Sequence, residues 1–190
     1  MPEAEPDDSM PGPTAAPLIL TLALDAASQS WLEELRRAHF PPARNLVPAH
    51  VTLFHALPGE EVVAILAALA AECTALPPSR VRVGPPRSLG RGVALEIGAP
   101  AIARLRDRLA ARWRPWLTAQ DRQRWQPHAT VQNKVSPEAA RALLVALSAM
   151  LPPREARAEA VLLWRYRGGP WERVARIPFT AGAYPREVIL

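Results

Sequence analysis

Two histidines and two threonines carry the chemistry that this sequence can offer. They occur as His50-Val51-Thr52 and His128-Ala129-Thr130. Residues i and i+2 of a strand point to the same face, so each histidine faces with its threonine, while Val51 and Ala129 face the opposite, core side. If the two strands lie side by side, one cleft receives two imidazoles and two hydroxyls. That set suits displacement at phosphorus. In-line attack needs a base on the entering oxygen and an acid on the leaving oxygen. Imidazole titrates near neutrality and serves as either, each role contributing roughly 10²–10⁴-fold. The threonine hydroxyls can donate to the non-bridging oxygens, where negative charge sits.

A single His-x-Thr is a weak motif, because a histidine on a strand is commonly structural. Here it is part of a longer repeat. Aligned without gaps, the 23 residues from His50 and the 23 from His128 are identical at eight positions, including His50/His128, Thr52/Thr130 and Glu60/Glu138. The alanine and leucine matches come cheaply in this composition. The paired motifs, each with a proline just upstream (Pro48, Pro127) and a helix downstream, do not. The chain is expected to contain two similar lobes, each strand–helix–strand–helix–strand, related by a pseudo-two-fold axis.

The elements that must position the motifs follow from periodicity. Leu18–Leu24 is an apolar run suited to a buried strand. Ser30-x-x-Glu33 predicts a capping box for a helix with Trp31, Leu32, Leu35 and Ala38 on one stripe, stopped by Pro41-Pro42. A strand is expected at 49–55, then a helix from Glu60 to Cys73 with Val62, Leu66, Leu69 and Cys73 on one face. Val81 and Val83 alternate with arginines as a strand with one wet face, and Val93–Ile97 forms the next one. The rest reads as a helix at 100–114, a strand at 128–134, a helix at 137–150, and strands at 157–165 and 172–179.

Length, composition and charge exclude several classes. The 190 residues, 49% hydrophobic and 22% charged, suit one soluble domain. The longest apolar run, Val62–Ala71, is too short for a membrane span, which needs about 20 residues. No signal peptide is visible in the acidic start, and the lone Cys73 excludes an internal disulfide, so a cytoplasmic protein without membrane association is expected. Residues 1–17 hold five prolines and four acids and no base, and are expected to form a disordered acidic tail; 18–190 would be a single domain of two lobes. Without the tail the chain has 23 basic and 14 acidic residues, a net of +9, which suits an RNA partner. The same excess, 22 of the 23 being Arg, also fits the coding bias of a GC-rich genome.

On these residues the chain resembles the 2H phosphoesterase superfamily, named for its two His-x-Thr/Ser motifs, and within it the bacterial 2'-5' RNA ligase-like branch. The resemblance is carried by Pro48-Ala49-His50-Val51-Thr52-Leu53-Phe54, with Leu57-Pro58-Gly59, and by Pro127-His128-Ala129-Thr130-Val131-Gln132-Asn133-Lys134, and covers residues 18–180. It implies an α+β bilobal fold with mainly antiparallel sheets around a central cleft. It also implies metal-independent chemistry on 2',3'-cyclic phosphates or 2'-5' linkages at RNA ends or in small nucleotides.

His50 and His128 are therefore the expected catalytic pair, with Thr52 and Thr130 binding the phosphate. Arg44, Asn45 and Arg91, in loops beside the motifs, are candidate substrate contacts. Lys134 is a further one, although six residues along an extended strand place it roughly 20 Å from His128. His55 lies at odd spacing from His50 and is expected to be a packed or strand-end histidine with no catalytic role. No metal site or cofactor is expected, since no His-Glu-x-x-His, Cys/His cluster or Gly-rich nucleotide loop is present. The expected partner is an RNA end or a small cyclic nucleotide, bound by a monomer. Hydrolysis is the leading expectation. The alternatives are 2'-5' RNA ligation through the same site and a phosphate-binding module without turnover.

Overall fold

Leu18–Leu24 (β1) is buried at every residue, as the apolar run predicts for a strand covered on both faces. The computed structural model describes residues 15–182. Most of the expected tail, residues 1–14, lies outside the described residues. Ala15–Pro17 runs along the body: its carbonyls leave no room for a Cβ at Gly59, and Pro17 O accepts from Tyr166 N at 3.0 Å.

The remaining elements are α1 (Ala26–His39), β2 (Val51–Leu57), α2 (Val62–Thr74), β3 (Ser79–Ser88), β4 (Val93–Gly98), α3 (Pro100–Arg112), β5 (His128–Gln132), α4 (Pro137–Met150), β6 (Arg154–Arg165) and β7 (Glu172–Pro178). All strand pairings are antiparallel, in the order β1-β2-β5-β4-β3-β6-β7, and β6 pairs with β1 as well, which closes a ring of six. The two repeats are β1-α1-β2-α2-β3 and β4-α3-β5-α4-β6. Exchanging them leaves every pairing of the ring unchanged, so the pseudo-two-fold inferred from sequence is a property of the fold. The third strand of each repeat crosses over: β3 pairs with β4, and β6 pairs with β1. Each lobe is thus built from both repeats.

Local signals explain where the helices start. Asp25 caps α1 by accepting from Ser28 N at 2.9 Å, so this helix begins one turn before the expected Ser30 box. Glu33, freed from capping, accepts from Ala49 N at 2.8 Å, while Gln29 donates to Ala49 O at 2.8 Å. Two side chains of α1 therefore fix the residue just before His50. Ser136 caps α4 as its Ser-Pro-Glu sequence suggests. In α2 the fully buried positions are Ile65, Ala68, Leu69 and Cys73, with Val62 and Leu66 only partly covered, so the buried face is rotated from the expected one. Cys73 is fully buried, and burial pushes its thiol up to about 12.

The core lies between helices and sheet, and its largest members, Trp113 and Phe54, meet edge-on at 5.2 Å. Gly92 lies against the backbone of Gln132 and Asn133, where any Cβ would collide. A glycine there lets β4 close on the end of β5, which carries the second motif. Among the described residues no helix is long and apolar enough to cross a membrane.

Candidate active site

β2 and β5 meet at a single point, the antiparallel pair Val51 and Ala129. Each is the middle residue of its motif, and both are buried. Antiparallel pairing then sets Thr52 beside His128 and His50 beside Thr130, so the four polar side chains form a two-fold quartet. All four line one cleft of about 260 Å³.

The two imidazoles are held alike. Nδ1 of His50 lies 2.7 Å from Pro48 O, and Nδ1 of His128 lies 2.8 Å from Gln126 O. A carbonyl only accepts, so Nδ1 of His50 carries its proton and its Nε2 is left for the cleft, whereas Nδ1 of His128 faces both the Gln126 carbonyl and a donor, Arg87 Nη2 at 3.1 Å. Burial pulls the His50 pKa down to about 4 against the Pro48 hydrogen bond, with the charges of Arg36, His128 and His55 adding to the fall. The pKa of His128 is also lowered, first by burial and then by Arg87 and His55. His50 is therefore neutral at pH 7 in the free protein. The Thr52 and Thr130 carbonyls are committed instead, to Trp125 Nε1 at 2.9 Å and Arg36 Nη1 at 2.8 Å.

Two buried arginines hold the motif strands reciprocally. Arg36 on α1 reaches Thr130 O on β5, and its Nε reaches Asn45 Oδ1 (2.8 Å) and Val47 O (3.2 Å). Arg106 on α3 reaches Leu53 O on β2 at 3.0 Å and Asp121 O at 2.7 Å. Each repeat's first helix thus clamps the other repeat's strand. Beyond Val51, β2 diverges from β5, and side chains from 106–125 take up its polar edge in place of a neighbouring strand. That divergence opens the cleft.

Of the remaining sequence candidates, none lines the cleft. Arg44 is exposed in a short 3-10 turn. Asn45 is used to hold Arg36. Arg91 donates to Val135 O at 3.1 Å and is exposed. Lys134 lies past the end of β5, exposed at a turn with φ of 62°. None of the four is among the residues that line the cleft holding the quartet.

The structure adds residues that the sequence reading did not assign to the site. His55 lines the cleft rather than packing in the core. The register against β1 runs Thr21–Thr52, then Leu20–Phe54, so one β2 residue is extra. This bulge buries Leu53 and Phe54 in succession and flips the parity that follows. Asp121, 1% exposed, accepts from His55 Nδ1 at 2.8 Å and from the backbone N–H groups of His55 and Ala56. These bonds keep its pKa below the usual carboxylate value although burial works against them. Arg87 on β3 sets Nη2 3.1 Å from His128 Nδ1 and Nη1 3.2 Å from Gln126 Oε1; its Nε is buried without a partner. On the other flank the Trp171 ring stands 4.6 Å from His50, backed by Trp164 at 6.0 Å. One side of the quartet is cationic and the other aromatic. Arg36 and Arg106 could have been suspected, since each falls on the apolar stripe of its helix, four residues after Leu32 and Ile102.

Among the described residues, no group of three or more His, Cys, Asp or Glu side chains is arranged to hold a metal ion. Residues 24–170 match the family model of the 2'-5' RNA ligase superfamily. No curated protein matches the sequence. Among solved structures, the chain is similar to TT0787 of Thermus thermophilus, at 19% identity and a TM-score of 0.60, over 86% of this chain and 98% of that one. It is similar to Escherichia coli LigT complexed with 3'-AMP, at 18% identity and a TM-score of 0.60, over 87% and 99%. A structure described as a phosphoesterase matches at 16% identity and a TM-score of 0.58, again over 87% and 99%.

Proposed function

This chain belongs to the 2'-5' RNA ligase superfamily, and on that premise we propose that it is a phosphoesterase opening 2',3'-cyclic phosphates, or related 2'-5' phosphodiesters, at RNA ends or in small nucleotides. The observation that carries the reading is the Val51–Ala129 pairing, which brings both His-x-Thr motifs to one cleft.

His50, with its proton affinity lowered most and its Nε2 bare, takes the proton of the attacking water. His128, in the fraction of molecules where it is doubly protonated, donates a proton from Nε2 to the departing 2' or 3' oxygen. One P–O bond forms and one breaks, leaving a phosphomonoester and a free hydroxyl. Thr52 and Thr130 donate to the non-bridging oxygens. Arg87 makes no ion pair among the described residues, and a phosphate is a natural counter-charge for its unpartnered Nε. Trp171, beside His50, offers a face on which a base can stack. LigT, similar in fold, has been crystallised with 3'-AMP. Ligation is the same ring opening, with a 5'-hydroxyl attacking in place of water.

The test is incubation with a 2',3'-cyclic nucleotide in excess EDTA. Conversion to a nucleoside 2'- or 3'-monophosphate is the expected result. No conversion, or conversion only after a metal is restored, would overturn the reading.

A further inference from the structure

A third imidazole stands in the cleft, and the chemistry above does not use it. His55 is carried there by the bulge in β2, and its side chain is 44% exposed. Behind it Asp121 is buried and fully occupied, bonded to the ring, to two backbone N–H groups and to Thr118 Oγ1. Asp121 is the single acid among the residues lining the cleft, against Arg87, Arg106 and Arg124. The ring therefore donates backward through Nδ1 and presents Nε2 to the cleft. With a carboxylate behind it and an anion in front, an imidazole can carry protons on both nitrogens and bridge the two. His50, His55 and His128 line the same cleft, so one ligand can meet all three rings.

A 2',3'-cyclic phosphate bears one negative charge, and the quartet with Arg87 already accounts for it. We propose that His55, seated on Asp121, binds a second phosphate of the substrate, the one on the 5' oxygen of the nucleotide whose cyclic phosphate is opened. This rests on the reading of the quartet as a cyclic-phosphate site. That second phosphate is a monoester in a mononucleotide and a diester at the end of an RNA chain. The chemistry His55 recognises is common to both.

The experiment compares kcat/KM on adenosine 2',3'-cyclic phosphate, on its 5'-phosphorylated form, and on an ApA dinucleotide ending in a 2',3'-cyclic phosphate. The wild type should prefer a substrate with the second phosphate by about tenfold, mainly through KM, the effect of one charge-assisted hydrogen bond. His55→Gln should lower that preference by about the same factor. Preference for the phosphorylated mononucleotide alone marks a small-molecule source, and preference for the dinucleotide marks an RNA end. A wild-type ratio near one, or an equal loss on all three substrates in His55→Gln, overturns the proposal. Calorimetry provides a readout that needs no turnover. Adenosine 3',5'-bisphosphate should bind the wild type about tenfold more tightly than 3'-AMP, and His55→Gln should bind the two alike. Equal binding by the wild type overturns the second-phosphate site. An enzyme inert on all three cyclic substrates refutes the quartet reading instead.

Discussion

Replacing Thr52 or Thr130 by valine removes a hydroxyl and little else. Valine keeps the β-branched shape that suits a strand. The two threonine hydroxyls make no hydrogen bond within the described residues, and both side chains are half-buried in the cleft. The contacts that do hold the strands, Trp125 to Thr52 O and Arg36 to Thr130 O, use backbone atoms that valine retains. Stability should therefore stay within about 0.5 kcal/mol of the wild type, the ordinary range for a substitution away from the core. Activity should not. A hydrogen bond to a charged group contributes about 1.5–3 kcal/mol, which at about 1.4 kcal/mol per decade means a loss of about 10- to 150-fold in kcat/KM per variant. The hydroxyls sit on opposite strands and would hold different oxygens, so the double variant should lose about the product of the two factors. Serine at either position should restore most of the rate. The assay is cyclic-nucleotide hydrolysis with a melting curve on each variant. Val variants that turn over within twofold of the wild type, or that melt early, would refute the phosphate-clamp reasoning.

Further outcomes are expected. The kcat/KM profile of the free enzyme should be a bell on the acid side of neutrality. It rises near pH 4 as His50 becomes neutral and falls below pH 6.5 as His128 loses its proton, and a plateau extending above pH 8 would contradict the assignment. Because the folded protein holds the His50 pKa below 6.5, the unfolded chain binds more protons between pH 4 and 6.5. Stability contributed by neutral His50 is present above that window and is lost as pH falls through it, so His50→Gln should flatten the fall in melting temperature. Arg36→Met leaves three acceptors, Thr130 O, Asn45 Oδ1 and Val47 O, without their donor, and should cost at least about 3 kcal/mol, a fall of roughly 6–12 °C in Tm. An unchanged melt would remove the reciprocal clamp from the account.

Much of the architecture was readable from the sequence because its signals are local. Leu18–Leu24 falls where the apolar run puts it, and Pro137–Met150 coincides with the helix expected at 137–150. The repeat gave the pseudo-two-fold, and strand parity gave the quartet. What was not readable depends on partners far along the chain. The parity of His55 fails because its strand bulges against β1, an event set by the pairing partner. Arg36 looks like a surface residue by type, yet its acceptor on β5 lies 94 residues away. Asp121 has no motif around it, and only the tertiary fold brings it under His55. The crossing of β3 and β6 between lobes is likewise invisible to a repeat alignment, which marks units and not their exchange.

The central claim is that His50 and His128 work as a pair on one phosphate. The direct measurement is kcat for 2',3'-cyclic nucleotide hydrolysis in EDTA by His50→Ala, by His128→Ala and by the double variant, each shown to be folded. Each single substitution should lower kcat by about 10²–10⁴, and the double should be little worse than the worse single, because either loss already breaks the proton path. A single variant that keeps a near wild-type rate would contradict the paired mechanism.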